Sequence, residues 1–298
     1  MDKLDIDILH SLLDNCRESD RQIGSKIGIS GSAVKSRIAK MIKNKVIEDH
    51  TIKIEPSVFG YNLVYIVVTG QNTNEILKEI KLVGEPFVVV PVIGGITVCG
   101  IVVKENVEQK IEIAKKLMKG SRLLSIFEAG NPEIRSELTK TDVDIIAELA
   151  KNPLAKVDEL AKKTNLSTKT VARCMQKLQN DEVVQFTIIF DPKKFGQYIP
   201  FVVMTRIDGK FDETVKLLRK EFGSSFLMKP FVSKNQLVLF LYSNDIFELD
   251  SVTQKIRTSK GVGSADLFIP KKILFQHQWM SSAIREAKSS DKLHLAYH

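Results

Sequence analysis

The amino-acid sequence contains one long unit twice, and this repeat limits the fold more than any other feature. When the second half of the 298-residue chain is laid on the first, the halves align in order and almost without gaps. The identities are Asp5–Asp142, Asp7–Asp144, Ile8–Ile145, Leu12–Leu149, Lys26–Lys163, Val34–Val171, Lys40–Lys177 and Val46–Val183. After one deletion, Pro56 and Gly60 align with Pro192 and Gly196. Because the period far exceeds the roughly 20–50 residues of solenoid repeats, the chain is a tandem pair of domain sets.

Each half begins with a pattern typical of three helices. Ser19 and Gln22 have the spacing of a capping box at the start of the second helix. Gly28 can take the positive φ of a tight turn, and Ser30 is a good N-cap for the third helix. Residues Val46 to Ile54 predict a short β-hairpin. The second half repeats the three helices at Val143–Leu149, Val157–Lys163 and Val171–Leu178. Three helices with a short turn before the third, followed by a hairpin, predict a winged helix-turn-helix.

The segment after each helical set has the pattern βαββαβ, which is the order of a ferredoxin-like domain. In the first half the predicted elements are Leu63–Val68, Asn74–Leu82, Phe87–Val92, Ile96–Val103, Val107–Met118 and Arg122–Phe127. In the second half they are Pro200–Ile207, Glu213–Phe222, Phe226–Val232, Leu237–Tyr242, Ile246–Arg257 and Ala265–Ile269. Gly94-Gly95 has the composition of a tight hairpin turn between two strands.

The sequence therefore predicts an α+β chain of two winged helix-turn-helix domains alternating with two βαββαβ ferredoxin-like domains. The predicted units are 1–60, 61–138, 139–196, 197–272 and a C-terminal helix and tail over 273–298. Residues Pro132 to Lys140 have the composition of a linker, and Ser289 to His298 that of a loose tail. Within the amphipathic stretch Ile273–Ile284, Trp279 is expected to anchor the segment against a domain.

Positive charge gathers on the third helix of each set. The formal net charge is +8, and residues Ser30 to Lys45 carry five basic side chains and no acidic one. Residues Lys162 to Lys177 also carry five basic side chains and no acidic one. On a helical wheel the apolar stripe lies on one side and the basic and hydroxyl side chains on the other. A helix of this kind suits the DNA major groove, where Lys and Arg neutralise phosphates and polar side chains reach base edges.

Two readings of these basic faces are open from the charge pattern alone, a DNA interface and an ordinary solvated surface. The helix-turn-helix frame and the recurrence in the second half favour DNA. The predicted DNA-binding residues are Ser30, Ser32, Lys35, Ser36, Arg37, Lys40, Lys43, Ser167, Lys169, Thr170, Arg173, Gln176 and Lys177.

The ordered motifs of the first sixty residues resemble those of the Lrp/AsnC transcription regulators. The motifs are Leu4-Asp5-x-Asp7-Ile8-Leu9, Ile27-Gly28-Ile29-Ser30, Val34-x-x-Arg37-Ile38, Val46-Ile47 and Pro56-x-x-x-Gly60. The resemblance implies a winged helix-turn-helix followed by a βαββαβ ligand-sensing domain. The family commonly has one such unit per chain, so a tandem pair is a departure.

The resemblance also points to an effector site, but with a second departure. Family members commonly carry Gly-x-x-Asp between the second and third strands of the sensing domain, beside an amino-acid effector. This chain has Gly94-Gly95-Ile96-Thr97 in the first half and Ser233-Lys234-Asn235-Gln236 in the second, without the aspartate. An effector is therefore expected, if anywhere, near Gly94, Gly95 and Thr97, and an amino acid is a doubtful candidate.

Composition narrows the remaining function classes. Three scattered cysteines, Cys16, Cys99 and Cys174, form no CxxC pair, so neither a disulfide framework nor a zinc site is predicted. No cofactor, metal or catalytic residue is predicted. The N-terminus lacks a secretory signal and the apolar runs are too short to cross a bilayer, so a cytoplasmic protein without a membrane partner is expected. The predicted partner is double-stranded DNA, with a homodimer or an intramolecular pairing of the two ferredoxin-like domains.

Two other functions are weighed against the regulator. Siroheme decarboxylases of haem biosynthesis resemble the same family, and chemistry on a porphyrin would call for His, Arg or Tyr within the sensing domain. All five histidines lie outside both βαββαβ stretches, which speaks against the enzyme. The third reading is a ligand-binding or assembly protein whose helix-turn-helix no longer binds DNA. It fits the second copy better, because Asp181-Glu182 stands there in place of Asn44-Lys45.

Overall fold

The structure, a computed structural model, describes residues 1–70, 72–118, 123–129, 137–233 and 235–289, with the backbone alone for residues 231–233. Residues 132–136 of the predicted linker and residues 290–298 of the predicted tail lie outside the described residues.

Both halves contain the predicted three helices and the predicted βαββαβ order. The first half comprises α1 (Lys3–Asn15), α2 (Asp20–Ile27), α3 (Gly31–Lys43), β1 (Ile47–Ile54), β2 (Asn62–Thr69), α4 (Thr73–Ile80), β3 (Glu85–Pro91), β4 (Ile96–Val103), α5 (Val107–Leu117) and β5 (Leu123–Glu128). The second half comprises α6 (Lys140–Lys151), α7 (Val157–Thr164), α8 (Thr168–Asn180), β6 (Val184–Phe190), β7 (Ile199–Ile207), α9 (Phe211–Phe222), β8 (Phe226–Ser233), β9 (Gln236–Ser243), α10 (Ile246–Thr258), β10 (Val262–Phe268), β11 (Leu274–Phe275) and α11 (Gln278–Ser289). We call α1–α3 the first helical unit and α6–α8 the second helical unit.

Two antiparallel sheets have the same strand order. The first sheet runs β3-β4-β2-β5, with the short β11 added at the β3 edge, and the second sheet runs β10-β7-β9-β8. Each places its first strand between its third and fourth, which is the ferredoxin-like arrangement expected from βαββαβ. One face of the first sheet packs on α4 and α5, and one face of the second packs on α9 and α10. The predicted fold class is confirmed.

The hairpin predicted within residues 46–54 is wrong, because these residues form a single strand whose partner comes from the other half. Strand β1 pairs antiparallel with β6, and we call this pair the wing ribbon. Thr51 lies opposite Thr187, its own counterpart in the duplicated sequence. An approximate twofold axis therefore passes through this pair, as in an isologous dimer. The register shifts between Ile47 and Asp49, where the first half has one residue more than the second.

The C-terminal segment joins the two halves. The segment predicted as a C-terminal helix and tail begins with β11, which pairs with β3 of the first sheet, and only then continues as α11. The Trp279 side chain is 3% exposed and lies about 6.0 Å, ring to ring, from both Tyr61 and Phe87. Its predicted role as an anchor is confirmed. Lys288 of α11 also pairs with Asp144 of the second helical unit at 2.7 Å.

One apolar core extends across both halves. It includes Ile8 and Leu9 of α1, Ile145 of α6, Phe186 of the wing ribbon and Leu227 of β8. A chain with two independent halves would show two separate cores of this kind. The shared core places both helical units on one frame, and it fixes the geometry of any surface that they form together.

Candidate nucleic-acid interface

The turn between the second and third helices is built by local chemistry in both units. Ser30 Oγ accepts a hydrogen bond from the backbone N–H of Ala33 at 3.2 Å, and Ser167 Oγ accepts one from that of Thr170 at 3.0 Å. Gly28 ends α2 at φ 78°, a conformation that Asn165 adopts in the second unit at φ 56°. Glycine and asparagine tolerate this left-handed conformation best, so both second helices end in the same backbone conformation.

A close backbone contact distinguishes the two turns. A Cβ atom added to Gly24 would lie 2.5 Å from the carbonyl oxygen of Ile29 and 3.2 Å from the backbone nitrogen of Gly31. The aligned residue in the second unit is Ala161, which is buried and carries a Cβ. Helix α2 therefore lies closer to its turn than α7 can lie to the corresponding turn, because Ala161 carries a Cβ.

The third helix of each unit buries an apolar face and exposes a polar face. Val34 and Met41 of α3 are buried, as are Val171 and Leu178 of α8. Ten of the predicted DNA-binding residues are exposed: Ser30, Ser32, Lys35, Ser36, Lys40, Lys43, Ser167, Lys169, Arg173 and Gln176. The other three, Arg37, Thr170 and Lys177, are partly buried. We call α3 and α8 the recognition helices.

Arg37 pairs with the N-terminus of α1. Its Nη1 atom donates to both carboxylate oxygens of Asp2, at 2.8 and 2.9 Å, and to Oδ1 of Asp5 at 2.7 Å. The hydrogen bonds to Asp5 and Asp2 raise the pKa of the guanidinium above its ordinary value. The pKa of Asp2 is lowered by the backbone N–H of Asp5 and then by Arg37. Two carboxylates thus compensate this arginine's charge, although its other N–H groups remain at a partly exposed surface.

Lys177 makes the corresponding contact in the second unit, with a more deeply buried carboxylate. Its Nζ lies 3.0 Å from Oδ2 of Asp142, which is 1% exposed, and donates to the carbonyl of Glu137 at 3.1 Å. Burial by itself raises the pKa of Asp142, but the backbone N–H of Thr139 and the Lys177 ammonium outweigh it, so the net pKa lies below the ordinary value. Asp142 also caps α6 through its contacts with Thr139.

The two units therefore use different positions for the same purpose. Asp5 and Asp142 are aligned, but Arg37 is aligned with Cys174, and Lys177 with Lys40. The tether to the first helix has moved by three residues, about one turn along the same side of the recognition helix. Lys40 is exposed in the first unit, whereas its counterpart is committed to an ion pair.

Charge at the exposed face differs accordingly. Over the described residues, Lys35, Lys40 and Lys43 of α3 and Lys169 and Arg173 of α8 have no ion-pair partner. Residues 30–45 sum to five positive charges. The aligned residues 167–182 contain three basic and two acidic side chains, so they sum to one positive charge. The first recognition helix thus has the stronger positive potential.

The predicted effector residues have structural roles in the β3–β4 hairpin. Gly94 and Gly95 form the turn at φ 91° and 79°. The Thr97 side chain is buried, and its hydroxyl donates to the carbonyl oxygen of Gly70 at 2.7 Å. A ligand at this hairpin would therefore meet mainly backbone groups. An effector at these residues stays a prediction.

The sequence pattern missed the carboxylates that hold the recognition helices, namely Asp2, Asp5 and Asp142. Each lies near a helix N-terminus, where acidic residues are common for reasons of the helix dipole. Only the packing of the first helix against the third brings them to a basic partner. Within the described ranges, no three His, Cys, Asp or Glu side chains come together as a metal site, and no helix has the length and apolar content of a membrane span.

Comparison with known sequences supports this reading of the two units. The AsnC-type helix-turn-helix domain matches residues 1–42, and a winged helix-turn-helix DNA-binding domain matches residues 138–185. The first unit is therefore similar to AsnC-type helix-turn-helix domains. Two matches in one chain agree with the duplication read from the sequence, and the resemblance to the Lrp/AsnC family is confirmed.

Among curated proteins, the chain is similar to transcriptional regulators. It is 36% identical over 93 residues to the HTH-type transcriptional regulator LrpA of Pyrococcus horikoshii and 30% identical over 88 residues to Ptr1 of Methanocaldococcus jannaschii. Each match covers 28% of this chain, and 64% and 60% respectively of the relative. The chain thus spans less than two thirds of the length of these regulators.

Two solved structures extend the comparison. The siroheme decarboxylase NirDL aligns over 96% of this chain and 100% of its own, at 10% identity and a TM-score of 0.49. The leucine response regulatory protein LrpA of Mycobacterium tuberculosis aligns over 47% of this chain and 93% of its own, at 22% identity and a TM-score of 0.35.

Proposed function

We propose that this chain is a sequence-specific, double-stranded-DNA-binding transcription regulator of the Lrp/AsnC type. One observation carries the proposal: both recognition helices bury an apolar face and expose a cationic face next to a capped helix-turn-helix turn. The similarity to named regulators supports it. Cationic side chains neutralise phosphates, and polar side chains near the helix N-terminus contact base edges.

The wing ribbon supplies the arrangement that such a regulator needs. DNA-binding helix-turn-helix proteins commonly act as dimers whose two recognition helices enter successive major grooves. Here β1 pairs antiparallel with β6, with Thr51 opposite Thr187, so an approximate twofold axis relates the two strands of the wing ribbon within one chain. We propose that the two recognition helices of one chain bind one duplex, and that a homodimer of such chains would add a second pair.

A small-molecule effector near Gly94 and Gly95 is part of the same proposal. The hairpin lies in the first ferredoxin-like sheet, and this sheet is joined to the second helical unit through β11 and α11. A ligand that shifts the hairpin would thus act on both halves. The missing aspartate argues for a ligand other than a free amino acid.

The test is a fluorescence anisotropy titration of the full chain against duplex DNA taken from upstream of its own gene, at two salt concentrations. Tight binding with a strong salt dependence is expected. Lys35→Glu and Lys43→Glu should each weaken binding and reduce the slope of log K against log salt by about one unit.

The matched control is Lys216→Glu on α9, an exposed lysine without an ion pair over the described residues. It makes the same charge change outside both helical units and should leave the slope unaltered. No binding to any duplex at low salt, or equal effects of all three reversals, contradicts the proposal.

We also propose that the chain is not an enzyme. His50 lies on the wing ribbon and His277 lies before α11, so neither is on a ferredoxin-like sheet. Addition of an iron porphyrin to the purified chain should give no new bound absorbance band and no decarboxylated product. A tightly bound porphyrin would reinstate the decarboxylase alternative.

A further inference from the structure

The two recognition helices expose different side chains on the same scaffold. Their buried positions are alike in character: Val34 matches Val171 and Met41 matches Leu178. The exposed positions differ at five places, and the aligned pairs are Ser32–Lys169, Lys35–Ala172, Ser36–Arg173, Ala39–Gln176 and Lys43–Asn180. Two copies that read the same bases would need the same side chains at these positions.

The differences concern the chemistry that reads bases. Arg173 and Gln176 have exposed planar groups, and in the major groove Arg pairs bidentately with guanine and Gln with adenine. The first helix has Ser36 and Ala39 at the aligned positions. A hydroxyl and a methyl group make single or apolar contacts and cannot select the same two bases.

The differences also concern the chemistry that holds phosphates. The first recognition helix exposes Lys35, Lys40 and Lys43 without ion-pair partners over the described residues, whereas Ala172, Lys177 and Asn180 stand at the aligned positions. Lys177 is held by Asp142, and so the second helix has fewer cations for the backbone. Phosphate contacts set affinity and base contacts set specificity.

From these observations we infer that one chain recognises an asymmetric duplex site, with two half-sites of different base sequence. The first helical unit supplies most of the phosphate contacts at one half-site. The second unit reads a guanine and an adenine at the other through Arg173 and Gln176. Symmetric dimers bind near-palindromic operators because their two recognition helices are identical. In this chain the two strands of the wing ribbon are related by an approximate twofold axis, but the two recognition helices differ in sequence. This inference rests on the proposed function.

The experiment is a selection by the full chain from a pool of duplexes with about 30 random base pairs, which is room for half-sites one or two helical turns apart. The expected motif has two unequal halves. A single base change in either half should weaken binding by roughly 5- to 150-fold, the range for one mismatched base pair. Affinity measured with the selected duplex and its two half-swapped versions gives the second readout.

A grafted variant makes the test directional. The graft gives the second recognition helix the side chains that the first exposes at these five positions. Its substitutions are Lys169→Ser, Ala172→Lys, Arg173→Ser, Gln176→Ala and Asn180→Lys. Because all five positions are exposed, circular dichroism should show an unaltered fold. The variant should select a near-palindrome built from the first half-site. The reciprocal graft, at Ser32, Lys35, Ser36, Ala39 and Lys43, should select a near-palindrome of the second half-site.

Each result has one meaning. An asymmetric parental motif that becomes palindromic in a graft supports the inference. A palindromic motif selected by the parent overturns it. A parental motif with a single half-site also overturns it if the variant grafted at the second helix selects the same motif. Failure to retain any duplex at low salt is a different outcome, because it removes the proposed function itself.

Discussion

The two helical units follow the same plan but hold their recognition helices in different ways. In the first unit Arg37 pairs with the exposed Asp2 and the partly buried Asp5, whereas in the second Lys177 pairs with Asp142, which is 1% exposed. An exposed ion pair stabilises little, and a buried one is costly to break. The difference shows that a duplicated scaffold can keep its caps and apolar faces while the surface and its tethers diverge.

The largest contrast is expected when each tether is removed. Lys177→Ala should lower the free energy of unfolding by about 2–3 kcal/mol, because it leaves the buried Asp142 carboxylate without its cation. Arg37→Ala should lower it by about 0.5–1 kcal/mol, since the Asp2 carboxylate is exposed to water and Asp5 keeps its hydrogen bond from the backbone N–H of Asp2. Urea unfolding followed by circular dichroism measures both, and equal losses would remove the distinction between the units.

A smaller contrast is expected at the helix-turn-helix turn. Gly24→Ala should destabilise the first unit by about 1–3 kcal/mol, because the new Cβ meets the carbonyl oxygen of Ile29. Ala161→Gly should cost the second unit only about 0.5–1 kcal/mol, the usual penalty for glycine within a helix. Thermal unfolding of the two variants beside the parent tests this. A neutral Gly24→Ala would mean that α2 shifts freely against the turn.

The smallest effect is expected in acid. The folded-state pKa of Asp142 lies below its ordinary value of 3.8, so its contribution to stability is complete above that value and is lost as pH falls through the folded pKa. Asp142→Asn should therefore flatten the acid decline of the unfolding free energy as the pH falls below about 4. Asp2→Asn, in the exposed tether, should flatten it less. Unfolding titrations from pH 6 to 2 compare them, and identical pH profiles for parent and Asp142→Asn would contradict the assignment.

Much of the fold could be predicted because the relevant signals are local. The apolar periodicities of 3.6 and 2.0 residues located the helices and strands, and β4 begins and ends at the predicted Ile96 and Val103. The N-caps at Ser19 and Ser30 could also be predicted from the sequence, because a capping side chain accepts a hydrogen bond from a backbone N–H within three residues. The bounds of the five predicted units remain a prediction.

The partners of some segments could not be predicted. Strand β1 pairs with a strand more than a hundred residues away, and the short β11 joins the sheet of the other half. The backbone N–H and C=O groups of a strand are the same whichever strand pairs with them, so nothing in residues 47–54 distinguishes a local hairpin from this long-range pair. The same holds for Arg37, whose pairing with Asp2 depends on how α1 crosses α3.

By itself, then, the amino-acid sequence determined the duplicated plan, the capped recognition helices and the excess of positive charge on them. These properties depend on neighbours within a few residues and on the apolar face that each helix must bury. The tertiary structure alone decided that the wings pair across the two halves and that one cation in each unit is neutralised from the first helix. Such contacts join groups that are remote along the chain, and only the packing of the shared core brings them within reach of each other.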